Sequence, residues 1–144
     1  MGKLQLEGFE DLNDALKRIS DIPQRVTDDA LKAMASVAAV RIRATGEAMG
    51  VKDPESSVHI LDRIKQGKPK KTASGGYADV TFSGTRTRSG RKTRNAEIAF
   101  VNEYGKRGQP ARPFIGTAMA RGEQQITAAG EEIVGDWIEK EWKK

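Results

Sequence analysis

The chain is 144 residues long, carries a net charge of +5, and is 37% hydrophobic but only 6% aromatic. That length suits one domain, spanning 1–144, with a single modest core built mostly from Ala, Val, Ile and Leu. With no cysteine in the chain, disulfides, thiolate nucleophiles and cysteine-ligated metals are excluded.

In chain order, residues 3–7 alternate as a short strand with Leu4 and Leu6 on one side, and Gly8 breaks it. Phe9, Leu12, Leu16 and Ile19 then repeat at helical spacing, predicting a first helix that ends before Pro23. A second helix follows with Pro23 near its start, where a missing N–H does no harm. Val26, Ala30, Met34, Val37 and Arg41 fall on one stripe of it, with Leu31, Ala38 and Ile42 beside them. Its alanine-rich face (Ala33, Ala35, Ala38, Ala39) allows close packing against another element. Residues 46–57, with helix-stopping glycines and Pro54, read as a linker.

Three segments of strand character come next. Residues 58–65 read as a strand or a helical turn. Residues 77–83 alternate, with Ala78, Val80 and Phe82 on one face, and residues 95–101 place Ala96, Ile98 and Phe100 together. The last two strands flank 84–94, which reads as a long hairpin arm. Pro113 opens the C-terminal helix, along which Ile115, Met119, Gly122, Ile126, Ala129, Ile133 and Trp137 recur at steps of three or four. Trp142 lies beyond that stripe as a rim or interface residue. The order β-α-α-β-β-β-α predicts an α+β fold. Its small antiparallel sheet of about four strands packs against two N-terminal helices and one long C-terminal helix, with a long basic hairpin loop.

No apolar run approaches the roughly 18 residues of a membrane span. The opening Met1-Gly-Lys-Leu-Gln-Leu6 lacks the apolar stretch of a signal peptide. A soluble, intracellular protein with no membrane partner is expected.

The net charge conceals an asymmetry. Residues 63–96 hold ten basic residues and one acid, a net +9, whereas the remainder holds fifteen bases and nineteen acids, a net −4. Such a division can steer a polyanion or join subunits head to tail. The densest part is the arm, where Arg86, Arg88, Arg91, Lys92 and Arg94 are interleaved with Ser, Thr and Gly. These five are the candidate partner- or DNA-contact residues. Without aromatics the arm cannot stack single-stranded bases. It suits protein docking, phosphate contact that reads no sequence, or simply a solvated edge that resists aggregation.

Catalytic chemistry finds little support. His59 lies near Ser56, Ser57 and Asp62, but no Gly-x-Ser-x-Gly accompanies it, and nearness in sequence does not make a triad. The adjacent pairs Asp28-Asp29 and Glu131-Glu132 point apart on a helix and make poor joint metal ligands. Gly75-Gly76 and the glycines at 105 and 108 match neither phosphate-loop pattern. The expectation is a protein that is not an enzyme, with no catalytic residue, no metal and no cofactor.

Residues 98–119 are the most distinctive. They read as an apolar strand, a glycine corner, a segment extended by Pro110 and Pro113, and a helix start. Glu103 and Arg112 flank the corner and could pair across it, in a structural or an intersubunit role.

This segment resembles the signature of tailed-phage neck proteins, the gene-product-ten-like minor tail or tail-completion components of siphophages. The matching residues are Phe100, Glu103, Tyr104, Gly105, Pro110, Ala111, Arg112, Pro113 and Phe114. Lys106 stands where the family pattern has Thr, and Ser57-Val-His-Ile-Leu-Asp-Arg-Ile64 replaces the usual entry to the first sheet hairpin. The resemblance implies a non-enzymatic virion protein of the head–tail junction, assembled in the host bacterial cytoplasm. It implies a homo-oligomeric ring that joins the tail to the head connector. Partners would then be further copies of the chain, the tail terminator or tail tube, the connector, and packaged DNA through non-specific contact. The alternative expectation is a small basic non-sequence-specific nucleic-acid-binding protein acting alone.

Overall fold

The structure, a computed structural model, describes residues 21–53, 58–73 and 75–144. The strand expected at 3–7 and the first helix expected from Phe9 lie outside the described residues.

Two long helices form the spine. Helix α1 (Gln24–Ala48) buries Val26, Ala30, Ala35, Ala38, Ile42 and Gly46. Helix α3 (Phe114–Trp142) buries Phe114, Ala118, Gly122, Ile126 and Gly130, a run of fourth residues. They pack antiparallel: Gly46 faces Phe114, Gly122 faces Arg41, and Gly130 faces Met34. Small residues let the backbones approach closely. A Cβ at Gly122 would stand 2.7 Å from Arg41 Cδ, and one at Gly130 2.6 Å from Met34 Sδ. The linker expected from Gly46 therefore begins later. Gly46 stays helical because its missing side chain seats Leu61 and Phe114, which a Cβ would meet at 2.7 and 3.1 Å.

Between the helices lie a 3-10 helix (Ile60–Arg63) and the strands β1 (Ile64–Gln66), β2 (Lys70–Thr72), β3 (Gly75–Tyr77) and β4 (Val80–Phe82). Strand β1 pairs with β4 and β2 with β3, both antiparallel, so the ladder is one long hairpin interrupted midway. The interruption falls at Gly67 and Pro69 on one strand. Proline has no N–H for the ladder and glycine weakens a strand. Strands β5 (Thr85–Arg88) and β6 (Arg91–Arg94) make a second hairpin, followed by helix α2 (Asn95–Tyr104).

The fold is α+β, as expected, with its antiparallel strands in three two-stranded ribbons instead of one sheet of four. The strand expected over 95–101 is helix α2. Its buried residues Asn95, Ile98, Ala99 and Asn102 are spaced i, i+3, i+4, i+7, a helical pattern disguised by two polar members.

The core is centred where the three α-helices meet the 3-10 helix: Ile42, Val51, Ile60, Leu61, Ile98, Ala99, Phe114 and Ala118. Ile60 and Phe114 are fully buried. Phe82 meets Phe114 edge-on, with ring centroids 5.9 Å apart. Val80 and Phe82 pack inward on the face the alternation marks, whereas Met119 on α3 is exposed.

Candidate functional site

The arm at 84–94 is a compact ribbon closed by a two-residue turn, Ser89–Gly90. Both turn residues have positive φ (49° and 74°), the backbone that matches the twist of paired strands. The register sets Arg86 opposite Thr93 and Arg88 opposite Arg91, so these four share one face. Thr85, Thr87, Lys92 and Arg94 share the other.

The first face is turned toward the body. There Arg86 is occupied internally. Its Nη1 donates to Asp53 Oδ1 at 2.7 Å, its Nε to Asn95 Oδ1 at 2.7 Å, and its Nη2 to the Val58 carbonyl at 3.2 Å. It is the root of the hairpin. On the opposite face Arg94 pairs with Glu97 at the surface, and Lys92 is exposed.

Between the hairpin, α2 and the segment after α1 lies a groove of about 710 Å³. Arg88 and Arg91 line it with Lys52 and Lys106; Asp53 and Glu97 also border it. Two asparagines of α2 fix its walls. Asn95 Nδ2 donates to the Ser83 carbonyl at 2.7 Å. Asn102 is 1% exposed; its Oδ1 accepts from the Lys52 N–H, and its Nδ2 donates to the carbonyls of Lys52 and Ile98. Asp53 Oδ2 accepts from the Ile60 N–H at 2.7 Å and starts the 3-10 helix. Lys52, Asp53, Asn95 and Asn102 were not among the sequence candidates. Only the helical spacing of the two asparagines could have marked them.

His59 is a structural cap. Its Nδ1 accepts from the Leu61 N–H at 3.2 Å, which places the proton on Nε2, 3.2 Å from the Val51 carbonyl. Among the described residues, no group of three or more His, Asp or Glu is placed to hold a metal ion. Nor is any described helix long and apolar enough to cross a membrane.

The corner at 98–119 is a tight joint. Gly105 ends α2 with φ 78°, its N–H bonded to the Val101 carbonyl; a Cβ there would lie 2.8 Å from the Ala111 nitrogen. Lys106 and Gln109 close a small turn by reciprocal backbone bonds of 2.9 Å. The chain returns so that the Arg112 N–H reaches the Asn102 carbonyl at 2.6 Å.

The Glu103–Arg112 pair is not formed. Glu103 instead caps α3, accepting from the Ile115 and Gly116 N–H groups at 2.8 and 2.9 Å. Helix α3 begins at a proline, which has no capping side chain, so the preceding helix supplies a carboxylate to its electropositive end. Arg112 Nη1 is buried with no acceptor among the described residues, an arrangement that costs about 1–3 kcal/mol.

Two of the corner's aromatics stay outside. Phe100 and Tyr104 are 61% and 69% exposed, one helical turn apart on α2, with ring centroids 4.7 Å apart. In comparisons with known proteins, the chain matches no family model, no curated protein and no solved structure.

Proposed function

We propose that this chain is a structural, non-enzymatic component of the head–tail junction of a tailed phage. In this reading it is a neck or tail-completion protein, forming part of a homo-oligomeric ring between tail and head connector. The observation that carries the reading is the exposed Phe100–Tyr104 pair. Both residues belong to the segment that resembles the neck family, yet neither ring enters this chain's core. Paired aromatics on a rigid surface helix have the composition of an interface centre. Glu103, Gly105 and Phe114, from the same segment, hold that helix against α3. The motif thus combines a stiff joint with a sticky face, which suits an assembly part.

The aromatic face docks on the tail terminator, the tail tube or the connector. The virion is the place of action and the host bacterial cytoplasm the place of assembly. The outer hairpin face, with Lys92 and Arg94, can touch passing DNA without reading its sequence. That same exposed charge favours the second reading, a small basic nucleic-acid-binding protein acting alone.

Replacing Phe100 and Tyr104 together by serine tests the proposal. The purified variant should keep its stability to within about 1 kcal/mol, because both rings are already wet. It should fail to enter particles when it complements the phage or prophage that encodes it. Normal incorporation would overturn the assignment of this face. Tight, salt-sensitive duplex binding by a wild-type monomer that never enters particles would select the second reading.

A further inference from the structure

We propose that the lysine-bearing edge of the long ribbon, strands β1 and β2, is the chain's main surface for duplex DNA, ahead of the arm at 84–94. This deepens the junction reading above, in which packaged DNA passes the chain, and rests on it.

The arm has less charge to offer than its composition suggests. Arg86 is bound to Asp53, Asn95 and the Val58 carbonyl. Arg94 pairs with Glu97, and Arg88 is also engaged. Arg91 and Lys92 are left, exposed and outside any ion pair among the described residues.

The ribbon differs. Its first strand carries Lys65, Lys68, Lys70 and Lys71, all exposed, and none forms an ion pair among the described residues. Among those residues β1 pairs with β4 alone and β2 with β3 alone, so this edge is open. The ribbon rests on the body by its other face: Ile64, Val80 and Phe82 pack on the core, and Gly76 stands against Leu31. Burial alternates along 76–82, so Tyr77, Asp79 and Thr81 turn outward. The register sets Lys65 opposite Thr81 and Lys70 opposite Tyr77, which puts both lysines on that outer face. Lys70 Nζ lies 5.8 Å from the centroid of the exposed Tyr77 ring. Asp79 is the one acid between residues 63 and 96.

From Lys65 to Lys71 the chain covers about 20 Å, at about 3.3 Å per residue. The major groove is about 12 Å wide, so the row reaches phosphates on both of its sides. Lysine is a point charge on a flexible stem, suited to phosphates in any sequence. One copy should hold duplex weakly, at about 10⁻⁴–10⁻⁶ M, and a ring of copies multiplies the contact.

Fluorescence anisotropy of a labelled random-sequence duplex, titrated with the full chain across a salt series, tests this. Each lysine–phosphate contact adds about 0.9 to the slope of log K against log salt. Lys65→Gln with Lys70→Gln should therefore reduce the slope by about 1.8, and Lys68→Gln with Lys71→Gln by about as much. Arg91→Gln with Lys92→Gln, on the arm, should reduce it less. Because all four lysines are exposed, thermal midpoints should match the wild type.

An unchanged slope in both lysine variants overturns the proposal. An equal or larger fall in the arm variant overturns it in favour of the arm. Lysine variants that bind duplex normally but aggregate would be guards of an open edge, which also overturns it. Variants that bind duplex normally but fail to enter particles assign the edge to a protein partner, with the same result. The two readings fail separately. A chain that enters particles without binding duplex through this edge keeps the head–tail role and loses the contact. One that binds duplex through it but never enters particles does the reverse.

Discussion

Arg86 Nη1 lies 2.7 Å from Asp53 Oδ1, an ion pair whose carboxylate is fully buried and whose guanidinium side chain is 13% exposed. This pair roots a hairpin that otherwise packs chiefly on α2, since an isolated two-stranded ribbon is marginal in water. Removing one partner of a buried pair leaves the other charge uncompensated. Arg86→Ala should therefore destabilise the protein by about 3–5 kcal/mol in urea unfolding. Lys92→Ala, on the outer face of the same hairpin, should change stability by no more than about 0.5 kcal/mol. Equal effects from the two substitutions would contradict the assigned faces.

Asn102 holds the segment after α1 through both its amide oxygen and its amide nitrogen. Asn102→Ala removes the side-chain partners of the Lys52 N–H and C=O in a part-buried setting, and a loss of about 1–3 kcal/mol follows from the bonds removed. Hydrogen exchange should show faster exchange at the Lys52 amide than in the wild type. An unchanged rate there would mean that Asn102 does not hold the groove wall.

Glu103 caps a helix to which it does not belong. Glu103→Ala should cost about 1–2 kcal/mol, as for other lost N-caps, with Glu103→Gln in between because it keeps one acceptor oxygen but loses the other and the charge. If both variants unfolded at the wild-type urea midpoint, the carboxylate would have no part in starting α3.

Two glycines of α3 should respond with opposite sign. Gly135 is exposed, with open space where a Cβ would go, so Gly135→Ala should stabilise by about 0.5–1 kcal/mol. At Gly130 the same change meets Met34 Sδ at 2.6 Å and Cγ at 2.9 Å. Overpacking there should outweigh the helix gain and leave a net loss of about 1 kcal/mol. Thermal unfolding of the two variants side by side reads the difference.

These contacts show which features the sequence reveals and which it conceals. The long C-terminal helix is plain because Gly122, Ile126 and their neighbours recur at helical steps, and burial follows that stripe closely. Only its first turn is displaced: Phe114 and Ala118 face the core, and Met119 does not. Helix α2 was hidden because Asn95 and Asn102, half of its buried face, are polar; Ala96, Ile98 and Phe100 mimic a strand by chance. A buried asparagine becomes visible only with the backbone groups it satisfies. The basic arm is evident from its composition, but the inward role of Arg86 depends on Asp53, thirty-three residues earlier. Pairings over such distances leave no local periodicity to find. The corner's glycine and prolines announce a turn, whereas the choice of Glu103 as a cap, in place of a partner for Arg112, depends on where α3 begins.

The proposed role, joining heads to tails, is tested most directly by electron microscopy of particles made by a phage lacking this gene. A joint role predicts filled heads and free tails accumulating unconnected, with complete particles restored when the chain is supplied from a plasmid. Intact, infectious particles in the absence of the gene would contradict it.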